Sequence, residues 1–269
     1  MSQQGNELTS LFLPVHRIIP FSNVDGVGNR TSIFLQGCNL NCLYCHNPET
    51  ISRQTDAGKM ISLATLFDKI MEARPFIRGV TFSGGEPTLH ARELIPLFKR
   101  LKAEGLTCYL DSNGFFDYAK TLPLIAYTDK FLFDIKGIGE GLCLLCLNRA
   151  NRQGKIPPPQ KVRGFTCQNN QIKKMLQRNL SNLRYLLMHE KIEEIRLVWV
   201  KGFYDAYALV EQIAHLPKIQ TAHFKLIIPH TRGTRDPQGL VPYIPTREEV
   251  KRLANYAQHC GLHKLKIIY

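Results

Sequence analysis

The sequence predicts an α/β fold, a partial (βα)₆ TIM-type barrel, and three observations carry that expectation. Short runs rich in β-branched and aromatic residues alternate with stretches whose apolar residues recur at helical spacing, the pattern of a parallel sheet with covering helices. The chain has 269 residues, a length that one α/β barrel commonly uses. The chemically unusual side chains also fall where the predicted strands end, and barrels of this kind gather their active sites there.

The elements follow in order. Thr31–Gln36 is the first predicted strand, and a cysteine-rich loop follows it. Ser62–Ala73 reads as a helix with Ser62 as its N-cap, and Ile77–Ser83 is the next strand. Ala91–Ala103 is helical, with Gly105 placed for its C-terminal cap before the strand Leu106–Asp111. Phe131–Ile135 is a strand, Gln171–His189 a helix, and Ile195–Lys201 a strand. Asp205–His215 and Thr246–His259 are helices that flank the strand His223–Ile228. Thr246 with Glu249 three residues later forms a capping-box signature, and Gly261 stands before the last strand, Lys264–Ile268. No domain boundary interrupts residues 1–269, so one domain is expected. Residues 138–168, with Gly137, Gly139, Gly141 and the run Pro157-Pro158-Pro159, read as an irregular insertion.

Composition points to an enzyme of the cytoplasm. Hydrophobic residues at 44% and charged residues at 21% are globular values. No apolar run approaches the ~18 residues of a membrane span, and Met1–Asn6 lacks the features of a signal peptide. The eight cysteines are therefore expected as reduced thiols. A net charge of +13 suits a basic docking face for an acidic protein. Basic residues do not interleave with aromatics, so nucleic acid is not expected as a partner.

Cys38, Cys42 and Cys45 form a CxxxCxxC triplet after the first strand. Structural zinc takes four protein ligands, and iron–sulfur clusters ordinarily take four cysteines. Three thiolates leave one coordination position for a ligand that is not protein. The competing reading is a zinc site completed by His46. At the later strand ends stand Ser83-Gly84-Gly85-Glu86, Asp111-Ser112-Asn113-Gly114, Asp134-Ile135-Lys136 and His230, with Arg196 inside a strand. Asp111 and Asp134 end neighbouring strands, and two close carboxylates need a proton, a cation or Lys136 between them. Arg196 could instead be an outward-facing charge, His230 an ordinary histidine, and Asp25-Gly26 a simple turn. Cys108 and Cys260 read as buried thiols.

With Gly84-Gly85-Glu86-Pro87, the triplet Cys38-x-x-x-Cys42-x-Tyr44-Cys45 resembles the radical S-adenosylmethionine superfamily. Asn23–Arg30, Phe34–Cys38 and Cys45-His46-Asn47-Pro48 narrow the resemblance to the glycyl-radical-enzyme activases, the pyruvate formate-lyase activase type. The resemblance implies that the three thiolates hold a [4Fe–4S] cluster whose fourth iron binds S-adenosylmethionine. One electron then breaks the cofactor into methionine and a 5′-deoxyadenosyl radical, which takes a hydrogen atom from a backbone glycine of a partner enzyme. It further implies cofactor contacts from Gly84, Gly85, Glu86, Tyr44, His46, Asn47, Ser112, Arg196 and His230. A monovalent cation would lie near Asp111 and Asp134, or Lys136 would take its place. Asp25 and Arg30 would engage the partner, a glycyl-radical enzyme, and flavodoxin or ferredoxin would donate the electron.

Two departures stand out. The familiar Asp-Gly-Pro-Gly reads Asp25-Gly26-Val27-Gly28, and an insertion bearing Cys143, Cys146 and Cys167 follows Lys136. Those three thiols could form a second metal site, or simply a reduced apolar loop. Two other functions stay open from sequence. One is a radical enzyme acting on a small molecule such as a deazapurine precursor, and the other is a non-catalytic metal-binding interaction protein.

Overall fold

The computed structural model describes residues 8–53, 58–148, 150–163, 165–167, 170, 174–175 and 177–269. The chain forms two compact units. The first comprises the chain up to Asn39, Glu49–Ser112 and Phe116–Leu132; the second comprises Leu40–Pro48, Asn113–Phe115 and Phe133–Tyr269.

In the first unit the strands are β1 (Phe12–Ser22), β2 (Arg30–Leu35), β3 (Lys59–Ser62), β4 (Gly79–Gly84) and β5 (Thr107–Ser112), followed by the start of β6 (Lys130–Ile135). Their order is β3-β1-β2-β4-β5-β6. β1 is antiparallel to β2 and β3, whereas β2, β4 and β5 run parallel. The register sets Arg30 beside Gly79 and Leu35 beside Gly84, so the cysteine loop and the Gly-Gly-Glu segment leave neighbouring strands at the same level. The helices are α1 (Leu63–Glu72), α2 (Ala91–Ala103) and α3 (Tyr118–Tyr127). Leu66 and Ile70 of α1 and Leu94, Leu97, Phe98 and Leu101 of α2 are fully buried, and Phe98 meets Phe82 of β4 at 5.3 Å between ring centroids.

The second unit holds the end of β6, then β7 (Ile192–Val198), β8 (His223–Ile227) and β9 (Leu265–Ile268), parallel where β7, β8 and β9 meet. Its helices are α4 (Arg178–Met188), α5 (Ala206–Ala214) and α6 (Arg247–His259). Leu183, Leu186 and Leu187, Leu209 and Ile213, and Val250, Leu253 and Ala257 form their buried faces. In both units strand and helix alternate as the predicted partial barrel requires.

The predicted caps form. The Ser62 hydroxyl accepts from Thr65 N at 3.1 Å, and Thr246 and Glu249 complete the capping box. Gly105 and Gly261 follow their helices with φ of +77° and +108°. Three elements were not predicted. β1 contains Pro14 and Pro20, which argue against a central strand; Pro20 lies beyond the residues that pair with β3. β3 has four residues. α3 carries Pro123 inside it but starts from an Asp117 cap that accepts from Lys120 N at 3.2 Å. Of the predicted helix Gln171–His189, Arg178–Met188 forms α4, and Lys174 and Met175 are also helical ahead of a turn at Gln177. Residues 171–173 and 176 lie outside the described residues, as do residues 1–7.

The segment 138–168 contains more order than expected. A π-helical turn spans Cys143–Leu147 and a single helical turn spans Pro159–Val162. Leu142, Leu145 and Cys146 are fully buried. No helix among the described residues is long and apolar enough to cross a membrane.

Candidate active site

The cysteine loop passes from the first unit, which holds Cys38, to the second, which holds Cys42, Tyr44 and Cys45. On the first side the chain leaving β2 is clamped. Gly37 N donates to Thr50 O at 2.8 Å and Cys38 N to Ile51 O at 3.0 Å. The Gln36 amide donates to the Glu49 and Ser52 carbonyls, both at 2.7 Å, and a His90 ring nitrogen bonds Gln36 O at 3.1 Å.

The Gly-Gly-Glu segment runs against this clamp. Gly85 N donates to Leu35 O and Glu86 N to Gly37 O, each at 2.8 Å. Gly84 has φ +104°, and a Cβ there would stand 2.3 Å from Leu35 N. A Cβ on Gly85 would stand 2.0 Å from Gly37 O. The close approach that calls for glycine is thus to the end of β2 at Gly84 and to Gly37, the residue before Cys38, at Gly85.

Glu86 is fully buried, and its carboxylate accepts from Thr88 N at 3.1 Å, Thr88 Oγ1 at 2.6 Å and Ser112 Oγ at 2.9 Å. Ser112 therefore orients Glu86. Asp111 accepts from Ser83 Oγ at 2.9 Å. Asp25 and Arg30 stand at the opposite end of β2 from Cys38. The Asp25 carboxylate accepts from Ser22 and Ser32 hydroxyls, both at 2.6 Å. Arg30 is 1% exposed. Its guanidinium donates to Thr81 Oγ1, Thr107 Oγ1 and the carbonyls of Val27, Val80 and Thr107, and stacks at 3.6 Å on Tyr109. Buried and so bonded, Arg30 braces the turn that precedes β2 and the ends of β4 and β5.

In the second unit, Lys136 Nζ donates to Asp134 Oδ2 at 2.7 Å and lies 5.7 Å from the centroid of the buried Tyr44 ring. Burial works against the ammonium, but the Asp134 carboxylate and nearby sulfurs outweigh it and raise the Lys136 pKa. Asp134 is thus paired with the Lys136 ammonium. The Tyr44 hydroxyl is buried without a hydrogen-bond partner. His46 and His230 stack at 3.9 Å between centroids, and His46 Nε2 bonds His230 O at 3.0 Å. Burial lowers the His46 pKa. Arg196 pairs with Glu194, which is 5% exposed and also pairs with Lys225. Arg196 and Glu194 share the face of β7 opposite the core residues Ile195 and Leu197.

Cys38 and Cys42 are buried, Cys45 is half-buried, and all are free thiols. The Cys146 side chain hydrogen-bonds Cys42, and this contact, with burial, raises the Cys42 pKa. Burial pushes Cys45 up to about 11, against a hydrogen bond from the Asn47 backbone. No three His, Cys, Asp or Glu side chains among the described residues converge as a single metal ion requires. In a four-iron cluster each thiolate meets its own iron, so these thiols fit that group as a donor set. The suggested second-site thiols divide: Cys143 bonds Cys167, while Cys146 faces Cys42.

Several shaping residues escaped the sequence. Asn179 donates to Asn113 O at 2.6 Å and Asp134 O at 3.1 Å, and Asn182 to Gly114 O at 2.9 Å. Two asparagines at adjacent turns of a helix were the available signal. Arg235 donates to Cys42 O at 3.1 Å, and nothing in its sequence surroundings points there.

A family model described as a 4Fe-4S single cluster domain matches residues 24–131. A Haemophilus influenzae protein named as a glycyl-radical enzyme activating enzyme is 53% identical over 262 residues, 97% of this chain and 98% of that one. A pyruvate formate-lyase-activating enzyme of Clostridium pasteurianum is 37% identical over 130 residues, 47% of this chain and 53% of its own length. Among solved structures, QueE from Escherichia coli covers 99% of this chain and 97% of its own at 16% identity, with a TM-score of 0.56. Streptococcus suis SuiB, bound to precursor peptide SuiA, covers 86% of this chain and 46% of its own at 15% identity, with a TM-score of 0.55. At these identities the structural matches speak for the fold alone.

Proposed function

As the chain belongs to the glycyl-radical-enzyme activating enzymes of the radical S-adenosylmethionine superfamily, we propose that it installs a glycyl radical in a partner enzyme. The observation that carries this reading is the 53% identity to a named activating enzyme across 97% of the chain. Its cofactors are a [4Fe–4S] cluster and S-adenosylmethionine. When bound, they supply a one-electron cleavage whose adenosyl product takes a hydrogen atom from the target glycine.

The chain's residues divide the remaining work. Cys38, Cys42 and Cys45 are the residues that would hold the cluster, as thiolates, and their protons would leave on its loading. Gly84 lets the segment close on the end of β2, and Gly85 lets it close on Gly37. By the family resemblance, Glu86, Asp111, Ser112, Tyr44, His46, Asn47, Arg196 and His230 are the residues that would bind the cofactor's polar groups. The Lys136 ammonium neutralises Asp134, where the resemblance allowed a monovalent cation instead. Asp25 and Arg30 hold the 23–29 turn in shape, with Val24 and Val27 at 68% and 62% exposure beside them. We take residues 1–269 to act as one radical enzyme domain, in an anaerobic or facultative cytoplasm, with flavodoxin or ferredoxin as reductant.

The test is anaerobic reconstitution, reduction, and incubation with S-adenosylmethionine and each candidate glycyl-radical enzyme. Electron paramagnetic resonance should show the glycyl doublet on one partner. Cofactor cleavage without a doublet on any candidate points to a small-molecule substrate instead. A colourless zinc protein that never cleaves the cofactor points to an interaction module.

A further inference from the structure

The insertion that breaks the strand–helix rhythm is tied into the cysteine loop. Asn41 N donates to Cys146 O at 2.8 Å and Leu43 N to Leu145 O at 2.9 Å, so the peptides flanking Cys42 bond directly to the 143–147 turn. The Asn41 amide reaches further, to the Asn148 and Asn151 carbonyls at 2.8 and 2.9 Å. Arg235 closes the arrangement from outside, donating to Cys42 O at 3.1 Å and Arg152 O at 3.3 Å. This clamp leaves the Cys146 side chain, at 0% exposure, in hydrogen-bond contact with the Cys42 sulfur. A protonated Cys42 is the donor in that contact, which is why it raises the Cys42 pKa; once Cys42 is a thiolate the donor must be Cys146. Cys143 is engaged elsewhere, with Cys167.

We propose that Cys146 is a positioning residue for the iron–sulfur centre, its thiol donating an S–H···S hydrogen bond to the Cys42 thiolate and thereby raising the reduction potential of the cluster. The inference rests on the reading of Cys42 as a cluster ligand. Reduction places an added electron on a cluster whose charge its thiolate sulfurs share. A donor aimed at one of those sulfurs stabilises the reduced form more than the oxidised one. Burial strengthens the effect, because no water competes for the sulfur. The π-helical turn makes the contact dependable: its carbonyls fix the loop, and the loop fixes the distance between the two sulfurs. On this reading the insertion is an inner cap on the metal loop, and it eases delivery of the electron that the reaction needs.

The experiment is a redox titration, followed by electron paramagnetic resonance, of anaerobically reconstituted wild-type, Cys146→Ala and Cys146→Ser proteins. The alanine variant should keep four irons per cluster while its reduction equilibrium falls about tenfold, a shift of about 59 mV to more negative potential for one electron. The serine variant, which keeps a hydroxyl donor, should lie between it and the wild type. A wild-type midpoint in a fully loaded Cys146→Ala protein overturns the proposal and leaves the cluster reading standing. A Cys42→Ala protein with an unchanged cluster signal overturns that reading, and the proposal with it. Should the alanine variant fail to fold, infrared spectroscopy of the wild type decides. The S–H band missing from Cys146→Ser should move when the cluster is reduced, and an unmoved band overturns the hydrogen bond.

Discussion

Gly85 passes so close to Gly37 that a Cβ at position 85 would stand 2.0 Å from the Gly37 carbonyl oxygen. Only hydrogen fits between them, and Glu86 N then donates to that same carbonyl at 2.8 Å. The Gly-Gly-Glu segment is therefore half of the mould that shapes the approach to Cys38.

Gly85→Ala should push the cysteine loop outward, because backbone and not a flexible side chain faces the added methyl. A cost of about 1–3 kcal/mol is the usual scale for such overpacking. Urea unfolding of the metal-free protein should show it, with fewer irons retained per chain after reconstitution. Unchanged stability would mean that the two segments separate freely.

Glu86 should matter through geometry and charge in different degrees. Glu86→Ala leaves the Ser112 and Thr88 hydroxyls without their acceptor in a buried site, at a cost of about 1–3 kcal/mol. Glu86→Gln keeps an oxygen acceptor and should recover much of that stability. Equal losses for the two variants would show that the carboxylate charge, rather than the hydrogen bonds, holds the segment.

Arg30→Lys removes the planar fork that serves three carbonyls and two hydroxyls while stacking on Tyr109. Lysine cannot reproduce that pattern, so a loss of about 3 kcal/mol is expected from a buried network. Thermal unfolding without any partner present should reveal it. A fully stable Arg30→Lys protein that fails only in partner activation would return Arg30 to the docking surface.

The pH dependence of stability should include His90. Burial lowers its pKa from 6.5, and the hydrogen bond to Gln36 O offsets only part of that. As pH falls, the unfolded chain takes up the proton first. The stability attached to a neutral His90 is thus present above pH 6.5 and is lost as pH falls toward the depressed folded value. Wild-type melting temperature should drop more steeply than that of His90→Gln between about pH 6.5 and 5. Parallel curves would remove His90 from the clamp on Gln36.

The repeating strands, the capped helices, the cysteine triplet and the Gly-Gly-Glu segment were legible because each depends on neighbours a few residues away. Apolar period, an N-cap with its third residue, and three thiols in one loop are local properties of the chain. β1 and α3 were not, since their prolines speak against them locally and pairing or packing overrides that preference. By itself the sequence determined the fold class and the family chemistry that the cysteine triplet and the Gly-Gly-Glu segment imply. Tertiary structure alone decided that Gly85 meets Gly37, that Lys136 neutralises Asp134 and that Arg30 is a brace. It also decided that Cys146 parts from Cys143 to face Cys42. Each of these depends on where two distant backbone segments come within hydrogen-bond reach, a matter of sheet register and burial that residue spacing does not carry.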